Sequence, residues 1–396
     1  MDAVQELLNS PDIELKVLED KGKCLFSTVH FKKGDTIFEE VPLISCQFAW
    51  NKTYKYLACD HCMRPLESVD ENIARLTADQ VVEVPFLEYN STVKADHRKC
   101  PNCEELYCSE VCLANAYKQY HQFLCYRNSE DEPFFQLVER WKLMYYPPET
   151  TNIMLLARII ATIQLAENKE YAYNTFMQFC HLSLSNDETL VHNLLGEKFR
   201  NDIDELFSIF KIAMESRLNG ESNSYVKNLL TREGFIRMLS LIGRNGQGIG
   251  TSVLAEWANK LLSLEVSPSE KATIDKLIDD IYEKVDQHVG NFISNEGSGL
   301  YVVQSCINHS CAANAKITFP FNNNRLALVA KREIMPGEEI FINYLDKCAR
   351  KRSCHSRRKI LKDHYLFICM CSKCVVDSTE EPDVTSEDES EDEEMD

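Results

Sequence analysis

Eight ligand-type residues in four short-spaced pairs constrain this chain more than any other feature. They are Cys59-x2-Cys62, Cys100-x2-Cys103, Cys108-x3-Cys112 and His121-x3-Cys125. Zinc takes four thiolate or imidazole ligands in a tetrahedron at about 2.0–2.3 Å. A gap of two residues lets both thiolates of a knuckle reach one ion. A gap of three places two ligands one helical turn apart on the same face. Four pairs fill two closed sites, which hold shape and leave no open coordination position. One such pair could be two buried free thiols; four in succession read as zinc.

A further constellation, Cys369-x-Cys371-x2-Cys374, has the same character but is one ligand short of a closed site. Cys311 is the candidate for the fourth. The chain has 17 cysteines, an odd number, and its first residues have neither the basic nor the apolar region of a secretory signal. These features argue against a disulfide framework and for metal-binding or reactive thiols. Cys46, Cys180, Cys306, Cys348 and Cys354 fit no ligand pattern and read as buried or incidental.

The length of 396 residues predicts more than one structural unit, and 44% hydrophobic residues supply a core. No run of 18 apolar residues is present, so no membrane span is expected. The formal net charge is −19, but Asp377 to Asp396 holds 12 acidic residues and no basic one. More than half of the charge therefore sits in a segment too polar to offset its chain entropy, which reads as disordered from residue 376 onward. The rest is only mildly acidic. Lys347 to Lys359 carries seven basic residues in thirteen, read either as a solvated helix face, as a nuclear-import or nucleic-acid patch, or as a partner for the acidic tail in cis.

Local patterns give an α+β chain. Ile13, Leu15 and Val17 alternate with charged residues, and Thr36 to Ser45 is β-prone around Pro42, with Lys33-Gly34-Asp35 as a turn. Thr151 to Glu167 is apolar on nearly every face and predicts a buried helix. Ser267-Pro268-Ser269-Glu270 reads as a capping box opening a helix that stops at Gly290. Strand alternation returns at Arg325 to Lys331 and at Ile340 to Tyr344. Asn245 to Ser252 is glycine-rich, lacks the Gly-Lys-Ser/Thr ending of a phosphate loop and reads as a flexible turn.

Three segments carry the chemistry: Lys21-Gly22-Lys23-Cys24, then Asn308-His309-Ser310-Cys311-x2-Asn314, then Pro336-Gly337-Glu338-Glu339-Ile340-x3-Tyr344. Each alone is modest. In this order, and followed by C-x-C-x2-C, they resemble a SET methyltransferase domain. The four ligand pairs resemble a MYND zinc finger. The combination resembles the SET and MYND family of protein lysine methyltransferases, over roughly residues 10–375.

The resemblance implies a SET β fold with a pseudoknot, in which the Asn-His segment and the strand leading to Tyr344 meet. It divides the chain into an N-terminal part of SET (10–58), the MYND finger (59–125), a helical insert or linker (126–300), the core SET (301–346), a zinc-bound post-SET segment (347–375) and the acidic tail (376–396). The 37 residues between Cys62 and Cys100 exceed the usual finger and are expected as an extended loop. The family's cross-braced pattern pairs Cys59, Cys62, Cys108 and Cys112 on one zinc and Cys100, Cys103, His121 and Cys125 on another. Cys311, Cys369, Cys371 and Cys374 hold a third.

The implied reaction moves a methyl group from S-adenosylmethionine to a lysine Nε. It needs a neutral amine, which desolvation favours, and alignment of the reactants, which can supply about 7–11 kcal/mol of the barrier. By resemblance Tyr344 is the catalytic tyrosine and Tyr365 lines the lysine channel. Lys21, Gly22, Lys23, Asn308, His309, Tyr344 and Phe367 surround the cofactor. Cys24 stands where the family has a second glycine. Implied substrates are histone tails or non-histone proteins such as a ribosomal protein, and implied partners of the finger are proline-rich peptides. A monomer in cytoplasm and nucleus is expected. Relatives commonly continue into a TPR-type helical domain. Here 22 residues follow Cys374, 20 of them the acidic run Asp377 to Asp396, which implies a more open substrate cleft. The rival reading is a catalytically weak zinc scaffold, with Cys24 as the feature in its favour.

Overall fold

The computed structural model describes residues 10–78, 84–127, 129–144, 152–179, 189, 191, 193, 202–218, 220, 223–290 and 292–380. Cys180 and the tail beyond 380 lie outside the described residues.

The chain opens with a hairpin. Strands β1 (Ile13–Leu18) and β2 (Gly22–Ser27) pair antiparallel from Ile13↔Ser27 to Leu18↔Gly22. The turn closes at Gly22 with φ +71°, a conformation glycine adopts at no steric cost. Pro42 separates β3 (Thr36–Glu40) from β4 (Ile44–Gln47), and these two strands enter different sheets.

The finger follows. The segment expected as an extended loop instead carries helix α1 (Val69–Thr77), opened by Glu71 accepting the Ser68 N–H at 3.1 Å. Val69, Ile73 and Leu76 fall at helical spacing and bury against two later helices, α9 (Val253–Leu262) and α10 (Pro268–Val289). The apolar period inside the insertion outweighed its length. The finger itself contains the short pair β5 (Arg98–Lys99) and β6 (Leu106–Tyr107), then helix α2 (Glu110–Ala116), which continues through a π turn at Tyr117–His121.

The middle is largely helical: α3 (Pro133–Met144), α4 (Ile153–Leu165), α5 (Lys169–Phe176), α6 (Ile203–Leu218), α7 (Ser224–Leu229) and α8 (Arg232–Asn245). Helix α4 is the central rod. Asn152 caps it by accepting the Met154 N–H at 2.9 Å, and most of its side chains are buried. Helix α10 begins at the expected capping box and ends at Gly290.

Two strands interrupt the expected helical insert. The glycine-rich stretch is not a flexible turn but strand β7 (Gly246–Thr251), and β8 (Asn295–Leu300) pairs with it on one side and with β4 on the other. Segment 126–300 therefore contributes two strands to the sheet that holds β4. Glycine is required here by close packing. A Cβ on Gly297 would meet the Cys46 C=O at 2.3 Å, and one on Gly299 would meet Ile249 Cδ1 at 3.1 Å. A third sheet runs β10 (Ala315–Thr318), β11 (Leu326–Ala330), β3. Strand β11 is buried on nearly every residue rather than alternating, because both its faces are covered.

The strand expected over Ile340 to Tyr344 is shorter. Only β12 (Phe341–Ile342) pairs, parallel to β9 (Asn308–His309), through Phe341↔Asn308 and Ile342↔His309. This is the meeting that the expected pseudoknot needs. Helix α11 (Cys354–Tyr365) and helix α12 (Ser372–Glu380) close the described chain. Residues 376–380, expected as disordered, continue α12. The reason is local: Asp377 accepts from Arg357 at 2.5 Å and also pairs with Lys373.

Candidate active site

Three clusters of thiolate and imidazole ligands come together: Cys59, Cys62, Cys108, Cys112; Cys100, Cys103, His121, Cys125; and Cys311, Cys369, Cys371, Cys374. Within each, the ligand atoms lie within 4.8 Å of one another. A tetrahedron with 2.3 Å arms has edges of about 3.8 Å. Cys62–Cys108 at 3.5 Å, Cys100–Cys125 at 3.8 Å and Cys311–Cys374 at 3.5 Å fit that size. The donor set therefore suits zinc in all three places, and the first two are cross-braced. Local structure sets the ligands. Ser109 caps α2 by accepting the Cys112 N–H at 3.2 Å, and the π turn brings His121 to Cys103 at 3.4 Å.

A buried ion pair fixes the finger to the core. Asp60 sits in the first knuckle, and Arg158 reaches it from α4. The guanidinium donates to Asp60 Oδ1 at 2.6 Å and to the carbonyls of Ser45 at 2.5 Å and Asp60 at 3.0 Å. It also lies 4.0 Å over the Tyr120 ring, and Tyr120 donates its hydroxyl to Asp60. Burial alone would raise the Asp60 carboxyl; Arg158 beside it wins, and the group is held below its usual range. Sequence reading missed this link. Its signal was Arg158 itself, a lone charge inside an apolar helix.

The third cluster is braced by the basic stretch. Arg357 is buried, with Nη2 3.7 Å from Cys374 Sγ, and Arg358 donates to the Cys369 C=O at 2.9 Å. The stretch is thus not simply a solvated face. Lys347, Arg350, Lys351 and Lys359 remain exposed.

Beside this cluster four rings converge. Tyr344 and Tyr365 have centroids 4.7 Å apart, and His309 lies 5.3 Å from Tyr344. Phe367 lies 6.0 Å from His309 and 6.4 Å from Tyr344. The Tyr344 hydroxyl donates to the Ile307 C=O at 2.7 Å. His309 Nδ1 accepts the Tyr344 N–H at 3.0 Å, and Nε2 lies 3.3 Å from Cys311 Sγ. Both ring nitrogens are therefore engaged inside the protein, and the imidazole links the tyrosine to the metal cluster. Expected as a cofactor contact, His309 can offer that role through its backbone.

The N-terminal motif faces the same place. Asn308 donates to the Lys23 C=O at 3.2 Å, to Cys24 Sγ at 3.1 Å and to Glu339 Oε1 at 3.1 Å. Lys21 pairs with Glu339 Oε2 at 3.0 Å. The Lys23 side chain turns away to the Gln178 C=O at 2.9 Å, so of this residue only the backbone faces the site. Cys24 is fully buried and donates to the Gly22 C=O; burial, with Glu339 nearby, pushes its thiol up to about 11. It is a neutral packing group that occupies the second-glycine position without filling the open side of Gly22, where a Cβ would meet nothing within 4 Å.

Glu339 and Asn314 are two organising residues to which the sequence assigned no role. Glu339 holds Lys21 and Asn308 together. Asn314 donates to the Glu339 C=O at 2.9 Å and accepts the Phe341 N–H at 2.7 Å, which sets β12 beside β9. Both stand inside the motifs already singled out, which was the available signal.

Comparison with known proteins agrees with this geometry. The SET domain family pattern matches residues 22–345. The human protein-lysine N-trimethyltransferase SMYD5 is 45% identical over 370 residues, covering 93% of this chain and 87% of that protein. The zebrafish (Danio rerio) protein of the same name is 44% identical over 93% of this chain and 88% of its own. Mouse histone-lysine N-methyltransferase SMYD3 is 46% identical over a stretch of 78 residues, 20% of this chain and 17% of that protein. The chain belongs to the SET-domain protein-lysine methyltransferases, in the branch that carries a MYND finger.

Proposed function

We propose that this chain trimethylates a lysine Nε on a basic protein, either a histone tail or a ribosomal protein of the large subunit, with Tyr344 at the reacting centre. The observation that carries the assignment is the Tyr344 phenol, held by the Ile307 C=O at 2.7 Å within a cluster of four rings. The relatives named protein-lysine N-trimethyltransferase support the degree of methylation.

The residues present suit S-adenosylmethionine. Open backbone at Gly22, the Asn308 amide, the ammonium of Lys21 and the ring of Phe367 offer what a zwitterionic amino-acid end and a planar base require. When bound, that cofactor supplies an activated methyl group. The protein's own part is to hold and desolvate. Tyr344 and Tyr365 form a wall whose faces tolerate an ammonium and whose surroundings favour the neutral amine. His309 and the third metal cluster fix that wall, since Tyr365 and Phe367 run directly into Cys369.

Cys24, the feature that favoured a scaffold, is packed and hydrogen-bonded within the site, which supports the enzyme reading. The finger supports a second role as a dock for proline-rich peptides. Its second ligand set borders a groove of about 570 Å³ lined by Pro101, Leu113, Ala114 and the exposed Tyr117. We propose a monomer acting in cytoplasm and nucleus. Among the described residues no helix is long and apolar enough to cross a membrane.

The deciding experiment incubates the protein and S-adenosylmethionine with core histones and, separately, with large-subunit ribosomal proteins, followed by mass spectrometry of lysine peptides. A mass gain of three methyl groups on one lysine is expected. Methylation that stops at one group on every substrate would overturn the trimethylation reading.

A further inference from the structure

The carboxylate of Glu40 lies outside the motifs above but touches the segment that delivers them. Glu40 is the last residue of β3. Its Oε1 accepts the Val303 N–H at 2.9 Å and its Oε2 accepts the Gln304 N–H at 2.9 Å. These amides open the 3-10 turn Gln304–Cys306, which has no side-chain cap of its own. Glu40 supplies that cap from 263 positions earlier in the chain. The turn closes at Ile307, whose N–H donates to the Gln304 C=O at 3.0 Å. The Ile307 C=O is the acceptor of the Tyr344 hydroxyl. Asn308 and His309 follow at once. A series of hydrogen bonds therefore runs from Glu40 through one turn of backbone to the phenol.

The surroundings make this anchor costly to keep, which argues that its place is not incidental. Glu40 borders a cavity of about 580 Å³ walled by Ile13, Ile37, Phe38, Leu43 and Val302. Among the described residues no cation pairs with it. The titratable groups around it are Glu39, which precedes it on β3 and is paired with Arg325 at 2.5 Å, and Tyr301, which donates its hydroxyl to the Asn324 C=O. Burial pushes the Glu40 carboxyl up to about 7, although the backbone N–H groups of Val303 and Gln304 work in the other direction. In its ionised form the carboxylate accepts at both oxygens. Once protonated, it turns one oxygen into a donor and loses its grip on one amide.

We propose that Glu40 is a positioning residue for methyl transfer: its carboxylate fixes the turn Val303 to Ile307 and thereby the carbonyl that orients the Tyr344 hydroxyl. The inference rests on Tyr344 standing at the reacting centre.

The test compares the full-length wild type with Glu40→Gln, Glu40→Ala, Tyr344→Phe and the double variant Glu40→Ala/Tyr344→Phe. Turnover at saturating S-adenosylmethionine is measured from pH 6 to 9, with thermal unfolding and calorimetric binding of S-adenosylhomocysteine alongside. Glu40→Gln keeps one acceptor oxygen and should lower turnover about 10-fold above pH 7, the scale of one lost hydrogen bond. Glu40→Ala should lower it further. The ratio of wild type to Glu40→Gln should fall towards one as the pH drops through 7, because the wild-type group then also becomes neutral. In the Tyr344→Phe background the alanine change should cost little more, since both act on one hydroxyl. Turnover of the Glu40 variants equal to wild type, a ratio flat with pH, or losses that match the unfolded fraction would overturn the inference while leaving an impaired Tyr344→Phe in place. Full turnover by Tyr344→Phe would overturn the Tyr344 reading itself, and this inference with it.

Discussion

At the scale of single residues, the site separates groups that face the reaction from groups that hold them. On the proposed reading Tyr344 faces the reaction; its hydroxyl is engaged with the Ile307 carbonyl. Tyr344→Phe should reduce turnover by roughly 10²-fold, the scale for losing one preorganised donor. Binding of S-adenosylhomocysteine by calorimetry should change little, because Gly22 and Asn308, the residues proposed to hold the cofactor, are untouched. Glu339 holds. Glu339→Ala frees both Lys21 and Asn308, so its signature should be weaker cofactor binding in the same calorimetric assay. The motif residues were legible because each sits in a short local pattern. Their partners were less so. His309 turned out to grip Tyr344 and face Cys311, and Lys23 to reach Gln178, because side-chain direction depends on residues far away in the chain. Glu40 had no local pattern at all.

At the scale of elements, the apolar periods of β1, α4 and α10 were readable, as were the cap at Ser267 and the stop at Gly290. The glycine-rich β7 was misread, since its strand character comes from pairing with the glycines of β8 and not from its own propensity. The helix inside the finger insertion was missed for a related reason: its apolar face is complete only against α9 and α10. Helix α4 carries the sharpest stability test. Arg158→Ala leaves Asp60 as a buried charge without its cation, and should cost about 3–5 kcal/mol in denaturant unfolding. The paired change Arg158→Met with Asp60→Asn should cost less, because no uncompensated charge remains.

At the scale of the whole molecule, two ligand clusters lie inside the finger, and the third joins Cys311 of the core to Cys369, Cys371 and Cys374 of the C-terminal segment, the grouping expected from the sequence. Elemental analysis should find three zinc ions per chain. Cys371→Ser should lower that number by one and abolish turnover, since Tyr365 and Phe367 lead straight into its cluster. Among the described residues, the opposite charges of the basic stretch and the acidic tail make contact at one point, Arg357 with Asp377. A truncation that tests the tail should therefore be made after Glu380, sparing that brace. If the remaining acidic residues screen the exposed lysines, turnover on a basic protein should rise at low salt and converge with the full chain at high salt. Equal turnover at low salt would end that idea.

The pairing of Lys21 with Glu339 spans 318 positions. During synthesis at roughly 5–20 residues per second, the first half of the site waits many seconds for the second. Over that interval β3 and β4 have neither β11 nor β8 to cover them. The finger, complete by Cys125, can capture zinc and fold well before then. Zinc supply during translation, rather than in the finished enzyme, should therefore govern yield: chains made under zinc limitation should accumulate in aggregates, and zinc added afterwards should recover little activity.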